Sequence, residues 1–370
     1  MAPKLAVLAV LASLLGAVSC EFSISIYAGY GFPPPNPNQP FKLPPASPPK
    51  NPRPDLKVGY YAANKCPQAE EIVKRAVEEA TPAKRPGSSA SSSMIALSRY
   101  HKFYSGCDAS VLLEGPDTER TAFPNLSLRG FNIIEKAKAA LEVECKGIVS
   151  CADIVAFAGR DASCSLSDGK INYHVPAGRY DGNVSRANDT FLNLPPPFGD
   201  LKLITDMFAA KGLDQTDMLV LSGGHSTGRS GCGSFTNSFS NRLQADNSSR
   251  AMNRTLADQL NTTCTADSVN VPLDYKTPYA LDHQYYKNVQ EHNVLFTSDA
   301  VLLESPETKV LVDSFARDPF FLSDIIPIGR NPWYDAFAKA MVKMGNWEVK
   351  NSTVGEIRQF CGKVNDKKTY

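Results

Sequence analysis

Residues 214–229 read DQTDMLVLSGGHSTGR. Asp214 or Thr216 can cap an apolar helix that runs to the Gly223-Gly224 break, which leaves His225 just past its C-terminal end. Small neighbours let a flat group come close to that histidine, and neutral imidazole is a natural axial ligand for iron. Position alone favours an ordinary core histidine with satisfied hydrogen bonds, since a single histidine carries little information. Of the other four, His101, His174, His283 and His292, the last three take the structural reading by default.

Helical periodicity dominates on either side of this stretch. AEEIVKRAVEEA (69–80) spaces Ile72, Val73 and Ala76 along one face with charges opposite, and GFNIIEKAKAALEVEC (130–145) does the same with Ile133, Ile134, Ala137 and Leu141. Strand signals are few and short, and no internal repeat occurs. The chain from residue 57 to 370 is long enough to bury a large core, as one big domain or two lobes. A mainly α protein with long loops is predicted.

The first 20 residues have one early lysine, an apolar run from Leu5 to Leu15 and small residues from Gly16 to Ser19, the layout of a secretory signal with cleavage near Cys20. Residues 21–56 form a Pro-rich extension. From Tyr30 to Asp55 proline fixes φ and removes amide donors, so an extended polyproline II spacer is expected, either an inert tether or a contact to an extracellular matrix. No later apolar run approaches the roughly 20 residues of a membrane-spanning helix. The formal charge of +1 gives no electrostatic case for nucleic acid as a partner. Cys66, Cys107, Cys145, Cys151, Cys164, Cys232, Cys264 and Cys361 follow the signal without any CxxC pair, which suits bridges in an oxidising compartment and speaks against zinc. Asn-x-Ser/Thr acceptors at Asn125, Asn183, Asn188, Asn247, Asn253, Asn261 and Asn351 suit a glycosylated exported surface.

A set of segments, in order from residue 57 to about 364, resembles the secretory plant haem peroxidases (class III): LKVGYYAANKCPQAEEIV, GCDASVLLEG, ERTAFPNLSLRGFNIIEKAKAALEVECKGIVSCADIVAFAGRDA, PAGRYDG, NLPPPFGDLKLITDMFAAKGLDQTDMLVLSGGHSTGR, PLDYKTPYALDHQYYKNV and LFTSDAVLL. The resemblance implies a two-lobed helical fold with haem b held between the lobes and His225 as its proximal ligand. Asp299 is implied as the buried carboxylate that accepts the other imidazole N–H, giving the ring imidazolate character and stabilising higher iron oxidation states. A proximal calcium site is implied at Ser226, Asp274, Thr277, Asp282 and the Ala280 carbonyl, an oxygen set that suits a hard cation. Half of a distal calcium site is implied at Gly106, Asp108 and Ser110, with Glu119 nearby through water. Pro195 resembles the family's donor-contact residue. The cysteines are paired by the resemblance as Cys66–Cys145, Cys151–Cys361 and Cys232–Cys264. Cys107 is left without its neighbour, and Cys164 is extra.

The resemblance fails in one place. Directly before the Gly-Cys-Asp-Ala-Ser run the family has Arg-x-x-Phe-His-Asp-Cys-Phe-Val, whose His moves the peroxide protons and whose Arg stabilises the charge that develops as O–O breaks. Here residues 88–105 read SSASSSMIALSRYHKFYS. Either His101 or Arg99 can be slid onto its counterpart by a deletion, but no single alignment keeps both. Back-translating Gly87 to Arg99 and reading from the third base of each codon permits Leu-Val-Arg-Ile-Leu-Phe-His-Asp-Cys-Phe-Val-Gln. The Asp is forced, because the codon for Met94 ends in G and that for Ile95 begins AT. The next shifted triplet begins GT, as a splice donor does. Residues from somewhere after Glu79 to Arg99 therefore read as translated out of frame, and Tyr100 to Ser105 as intron remnant.

Two functions follow. One is an exported monomeric haem peroxidase, in the cell wall or vacuole, that reduces hydrogen peroxide and takes single electrons from phenolic donors, impaired in the chain as written. The alternative is a catalytically inactive haem-binding or structural extracellular glycoprotein. Across codons 79–107 the spliced transcript is expected to encode the His-Asp-Cys-Phe-Val string; a message that encodes SSASSSMIALSRYHKFYSG removes the frame-shift reading.

Overall fold

The structure, a computed structural model, describes residues 56–63, 66–80, 106–237, 241–244, 248–318, 320–323, 326–328 and 330–366. The expected signal and most of the Pro-rich extension (1–55), and the segment 81–105 with Arg99 and His101, lie outside the described residues. Ten helices of seven residues or more form among those described. They are α1 (Ala69–Ala80), α2 (Phe131–Glu144), α3 (Cys151–Leu166), α4 (Ala187–Asn193), α5 (Leu201–Ala209), α6 (Gln215–Ser222), α7 (Arg254–Thr263), α8 (Gln284–Gln290), α9 (Pro306–Phe315) and α10 (Pro332–Gly345). Among the described residues strand is limited to two short antiparallel pairs, β1 (Arg229–Gly231) with β2 (Asn270–Pro272) and β3 (Phe320–Ser323) with β4 (Ile326–Ile328). The fold is mainly α, with long connections. Among the described residues no helix is long and apolar enough to cross a membrane.

The helical stripes read from sequence lie close to where the periodicity puts them. In α1 the buried face is Ala69, Val73, Ala76 and Val77, with Ile72 half-buried at its rim. In α2 Ile133, Ile134, Ala137 and Leu141 are buried together with Lys138, whose ammonium donates to the Val149 carbonyl at 2.7 Å and pairs with Glu142 at 2.5 Å. Both helices pack against α3, which is apolar nearly all round and buried along most of its length. The same cluster continues into α6, α8, α9 and α10, while a smaller one around Phe235, Leu256, Leu260 and Leu295 fills the space beside the Cys232–Cys264 bridge.

Polar groups fix the start of α3. Ser150 caps it by accepting from the Asp153 amide at 3.1 Å. The Asp181 carboxylate accepts from the amides of Cys151 (3.1 Å) and Ala152 (2.8 Å), where the helix dipole favours negative charge, and also from the Arg358 amide at 3.0 Å. Asp153, in the first turn, accepts from Tyr61 Oη (2.6 Å), the amides of Gly178 (2.7 Å) and Arg179 (3.2 Å), and Arg179 Nη1 (2.6 Å). Arg179 also donates to the carbonyls of Pro176 and Gly345. Disulfides Cys66–Cys145, Cys151–Cys361 and Cys232–Cys264 join these parts. No bridge joins Cys107 to Cys164; Cys107 is buried and donates to the Met344 carbonyl at 3.3 Å. Of the glycan acceptor motifs, Asn125 is closed in the folded chain, because it is buried and donates to the Glu119 carbonyl at 2.7 Å.

Removing Asp153 would leave a buried guanidinium without its counter-charge and the buried Tyr61 phenol without its carboxylate acceptor. Asp153→Ala is expected to destabilise the protein by about 3–5 kcal/mol, the scale for breaking a buried ion pair, read as a lowered denaturation midpoint at unchanged slope.

Candidate functional site

His225 owes its position to how α6 ends. Asp214 caps the helix through a reciprocal box in which its carboxylate accepts from the Asp217 amide at 2.9 Å and Asp217 accepts from the Asp214 amide at 3.0 Å. At the other end the Val220 carbonyl accepts from Trp333 Nε1 at 3.1 Å, and the Leu219 carbonyl from Tyr286 Oη at 3.0 Å. These two aromatic side chains satisfy acceptors near the end of the helix. They also leave no room for a side chain at Gly223, whose added Cβ would lie 2.6 Å from both Trp333 Nε1 and Tyr286 Oη. The chain tightens into a 3-10 turn over Gly223–Ser226 and carries His225 out of the helix.

Gly224 and Ser226 are buried, yet the His225 side chain between them is 23 % exposed. Its Nδ1 lies 2.9 Å from Oδ1 of Asp299, a carboxylate only 4 % exposed in the short helical turn Thr297–Ala300. Tyr285 Oη donates to the same Oδ1 at 2.7 Å. Phe296 and Tyr285 meet the imidazole edge-on, with ring centroids 5.3 and 6.3 Å away. A carboxylate only accepts, so in the neutral imidazole Nδ1 carries the proton and Nε2 keeps its lone pair. A fixed, partly open imidazole with one bare nitrogen fits an axial metal ligand. Pro195 is half-buried in the connection between α4 and α5, and the amide of Ser298 ties that connection to the Asp299 turn by donating to the Pro197 carbonyl at 3.0 Å.

Beside His225, five oxygen-bearing residues converge. Ser226 Oγ donates to the Ala280 carbonyl at 2.9 Å and lies 3.2 Å from Asp282 Oδ1. Thr277 Oγ1 lies 3.1 Å from the same Asp282 oxygen and 3.3 Å from Asp274 Oδ2. Burial raises the Asp282 carboxyl and the neighbouring Asp274 charge raises it further, while hydrogen bonds from the Gln284 amide, Thr277 and Ser226 work the other way. Two carboxylates, two hydroxyls and a carbonyl form a donor set that fits a hard cation.

The second candidate cation site brings together fewer groups. Ser110 Oγ donates to Glu119 Oε2 at 2.9 Å, and the Ser110 amide to Asp108 Oδ1 at 3.1 Å, all three residues being buried. Gly106 sits at φ +105°, and an added Cβ would lie 2.2 Å from the Glu348 carbonyl oxygen. Burial pushes the Asp108 carboxyl up from 3.8 to about 6, against the pull of Lys350, whose Nζ is 3.8 Å away. The other histidines lie apart: His174 is exposed, His283 pairs with Asp318 at 3.0 Å, and His292 makes a left-handed turn after α8. Tyr285, Tyr286 and Trp333 are the site residues that the sequence reading missed. The Tyr-Tyr doublet in LDHQYYKNV (281–289), two large aromatics among polar residues, is the available signal.

The peroxidase family matches residues 70–318 of the chain. The chain is 46 % identical over 320 residues to Peroxidase 2 of Zea mays, covering 84 % of this chain and 89 % of that protein. It is 42 % identical over 331 residues to Peroxidase 1 of Zea mays (86 % and 85 % covered) and 38 % identical over 316 residues to Peroxidase 25 of Arabidopsis thaliana (84 % and 92 % covered). A mainly helical fold with these matches makes the chain a member of the plant peroxidase family, class III.

Asp108 gives a pH test. A carboxyl raised by burial binds its proton more tightly in the folded than in the unfolded chain, so its stabilising contribution is present below the ordinary value of 3.8 and is lost as pH rises through about 6. In a calcium chelator at pH 7.5, Asp108→Asn is expected to be more stable than the parent by up to about 3 kcal/mol, from about two pH units at 1.36 kcal/mol each. Thermal unfolding at a series of pH values checks it, and the gap should close near pH 4.

Proposed function

We propose that the chain is an exported haem peroxidase, monomeric, that reduces hydrogen peroxide with electrons taken singly from small phenolic donors. The observation that carries this reading is the Tyr285–Asp299–His225 chain of hydrogen bonds ending in a partly exposed imidazole. In this reading His225 Nε2 would hold haem b, and Pro195 would contact the donor. When bound, the haem supplies the redox chemistry of peroxide cleavage and donor oxidation.

The protein's own residues act on the ligand. Asp299 holds the Nδ1 proton, fixes the tautomer and orients the ring, which raises the basicity of the ligating nitrogen. A strongly donating ligand favours the higher oxidation states that peroxide chemistry demands. Ser226, Asp274, Thr277, Asp282 and the Ala280 carbonyl hold one calcium ion. Because Ser226 directly follows His225, that ion also pins the turn that presents the imidazole. Gly106, Asp108, Ser110 and Glu119 contribute to a second calcium ion, with the remaining ligands supplied by the frame-corrected His-Asp-Cys-Phe-Val string. The same string would supply the histidine that moves the peroxide protons.

A second reading is favoured by the sequence of residues 88–105, which lacks that histidine and its arginine partner: a haem-binding or structural extracellular glycoprotein with little turnover. In cell-wall surroundings the Pro-rich extension would provide the contact. His225→Ala is expected to abolish the Soret band of the haem-reconstituted protein, and an unchanged spectrum defeats the haem assignment. Peroxide-dependent oxidation of a phenol is expected to run at least about 100-fold faster in the frame-corrected chain than in the chain as written, the scale of an acid–base contribution. Equal rates would defeat the roles given to the string.

A further inference from the structure

Asp299 faces two donors on one oxygen. His225 Nδ1 lies 2.9 Å and Tyr285 Oη 2.7 Å from Oδ1. Tyr285 is almost wholly buried on α8, and its ring packs edge-on against both His225 and Tyr286. Tyr286 is in turn held by the Leu219 and Val220 carbonyls at the end of α6. The phenol is therefore seated by the same turn of structure that seats the imidazole, and its O–H is directed at the atom on which the imidazole proton depends.

We propose that Tyr285 is a positioning residue for the proximal ligand: by donating to the same carboxylate oxygen as His225, it holds that oxygen in line with Nδ1 and restrains how strongly it draws the imidazole proton. This rests on the reading of His225 as the haem ligand. The physical basis is competition at one acceptor. A hydrogen bond donated to a carboxylate stabilises its charged form and weakens its claim on any other proton. With the phenol in place the Nδ1 proton stays on the ring and imidazolate character is moderated. Without it, Asp299 draws the proton harder, Nε2 becomes a stronger donor and the ferric state gains over the ferrous. A phenol that merely fills space and satisfies its own hydroxyl would leave the ligand's electronic character untouched.

The test uses the haem-loaded protein and reads the iron–histidine stretching band of the ferrous form by resonance Raman, together with the ferric/ferrous midpoint potential. Tyr285→Phe is expected to raise the band frequency and make the potential more negative. Asp299→Asn, which removes the charged acceptor, is expected to move both the other way. Replacing Tyr285 with 3-fluorotyrosine, a stronger donor of nearly the same shape, should move both in the direction of the Asp299→Asn protein, and it serves even if Tyr285→Phe fails to fold. Unchanged values in the phenylalanine and fluorotyrosine proteins, or shifts opposite to these, overturn the proposal. The two levels separate cleanly: if His225→Ala leaves the haem spectrum unchanged, the ligand reading itself falls. If His225→Ala loses the spectrum while both Tyr285 variants are silent, only the role of Tyr285 falls.

Discussion

The end of α6 is the constraint on which the site depends. A helix leaves its last carbonyls without partners, and burying them bare is costly. Here Trp333 and Tyr286 reach in from α10 and α8 to donate to Val220 and Leu219, and their close approach leaves space only for glycine at 223. The helix ends, and the next three residues deliver an imidazole to the edge of an otherwise buried region. Three helices distant in sequence thus meet at one turn, and any change in how α8 or α10 docks is transmitted to His225.

Around that turn the protein solves two electrostatic problems differently. At His225 one oxygen of a buried carboxylate accepts from two donors, the imidazole and the Tyr285 phenol. At Ser226, Asp274, Thr277 and Asp282 two carboxylates and two hydroxyls sit together, a donor set that fits a hard cation. The two arrangements share backbone: Ser226 follows His225, and Asp282 opens the segment that leads into Tyr285. Fixing the oxygen cluster therefore also fixes both ends of the histidine–carboxylate–phenol chain.

What could be read from sequence was what is local. The cap at Asp214, the apolar run and the Gly-Gly break are contiguous, so the placement of His225 beyond a helix end followed from neighbouring residues. The stripes of α1 and α2 followed from periodicity, apart from the one-step drift that buried Val77 more deeply than Ile72. Asp299 was named only through the family resemblance, since nothing in FTSDA by itself says that its carboxylate turns inward. Tyr285, Tyr286 and Trp333 escaped because their roles are long-range: Trp333 acts on a carbonyl 113 positions away, and Tyr286 on one 67 away. The Asp153–Arg179 pair was invisible for the same reason. Charged residues default to the surface unless a partner is known, and here the partner is 26 positions off.

The closure of α3 by distant chain has a consequence for biosynthesis. Its first turn is completed by Asp181, by the bridge from Cys151 to Cys361 across 210 positions, and by Arg358, while Arg179 waits for the Gly345 carbonyl. The hub of the domain thus stays unfinished until residues 345–361 have left the ribosome. A nascent chain stalled or truncated before Arg358 and Cys361 would carry an open thiol at 151 and an incomplete helix start, a natural target for chaperones and quality control.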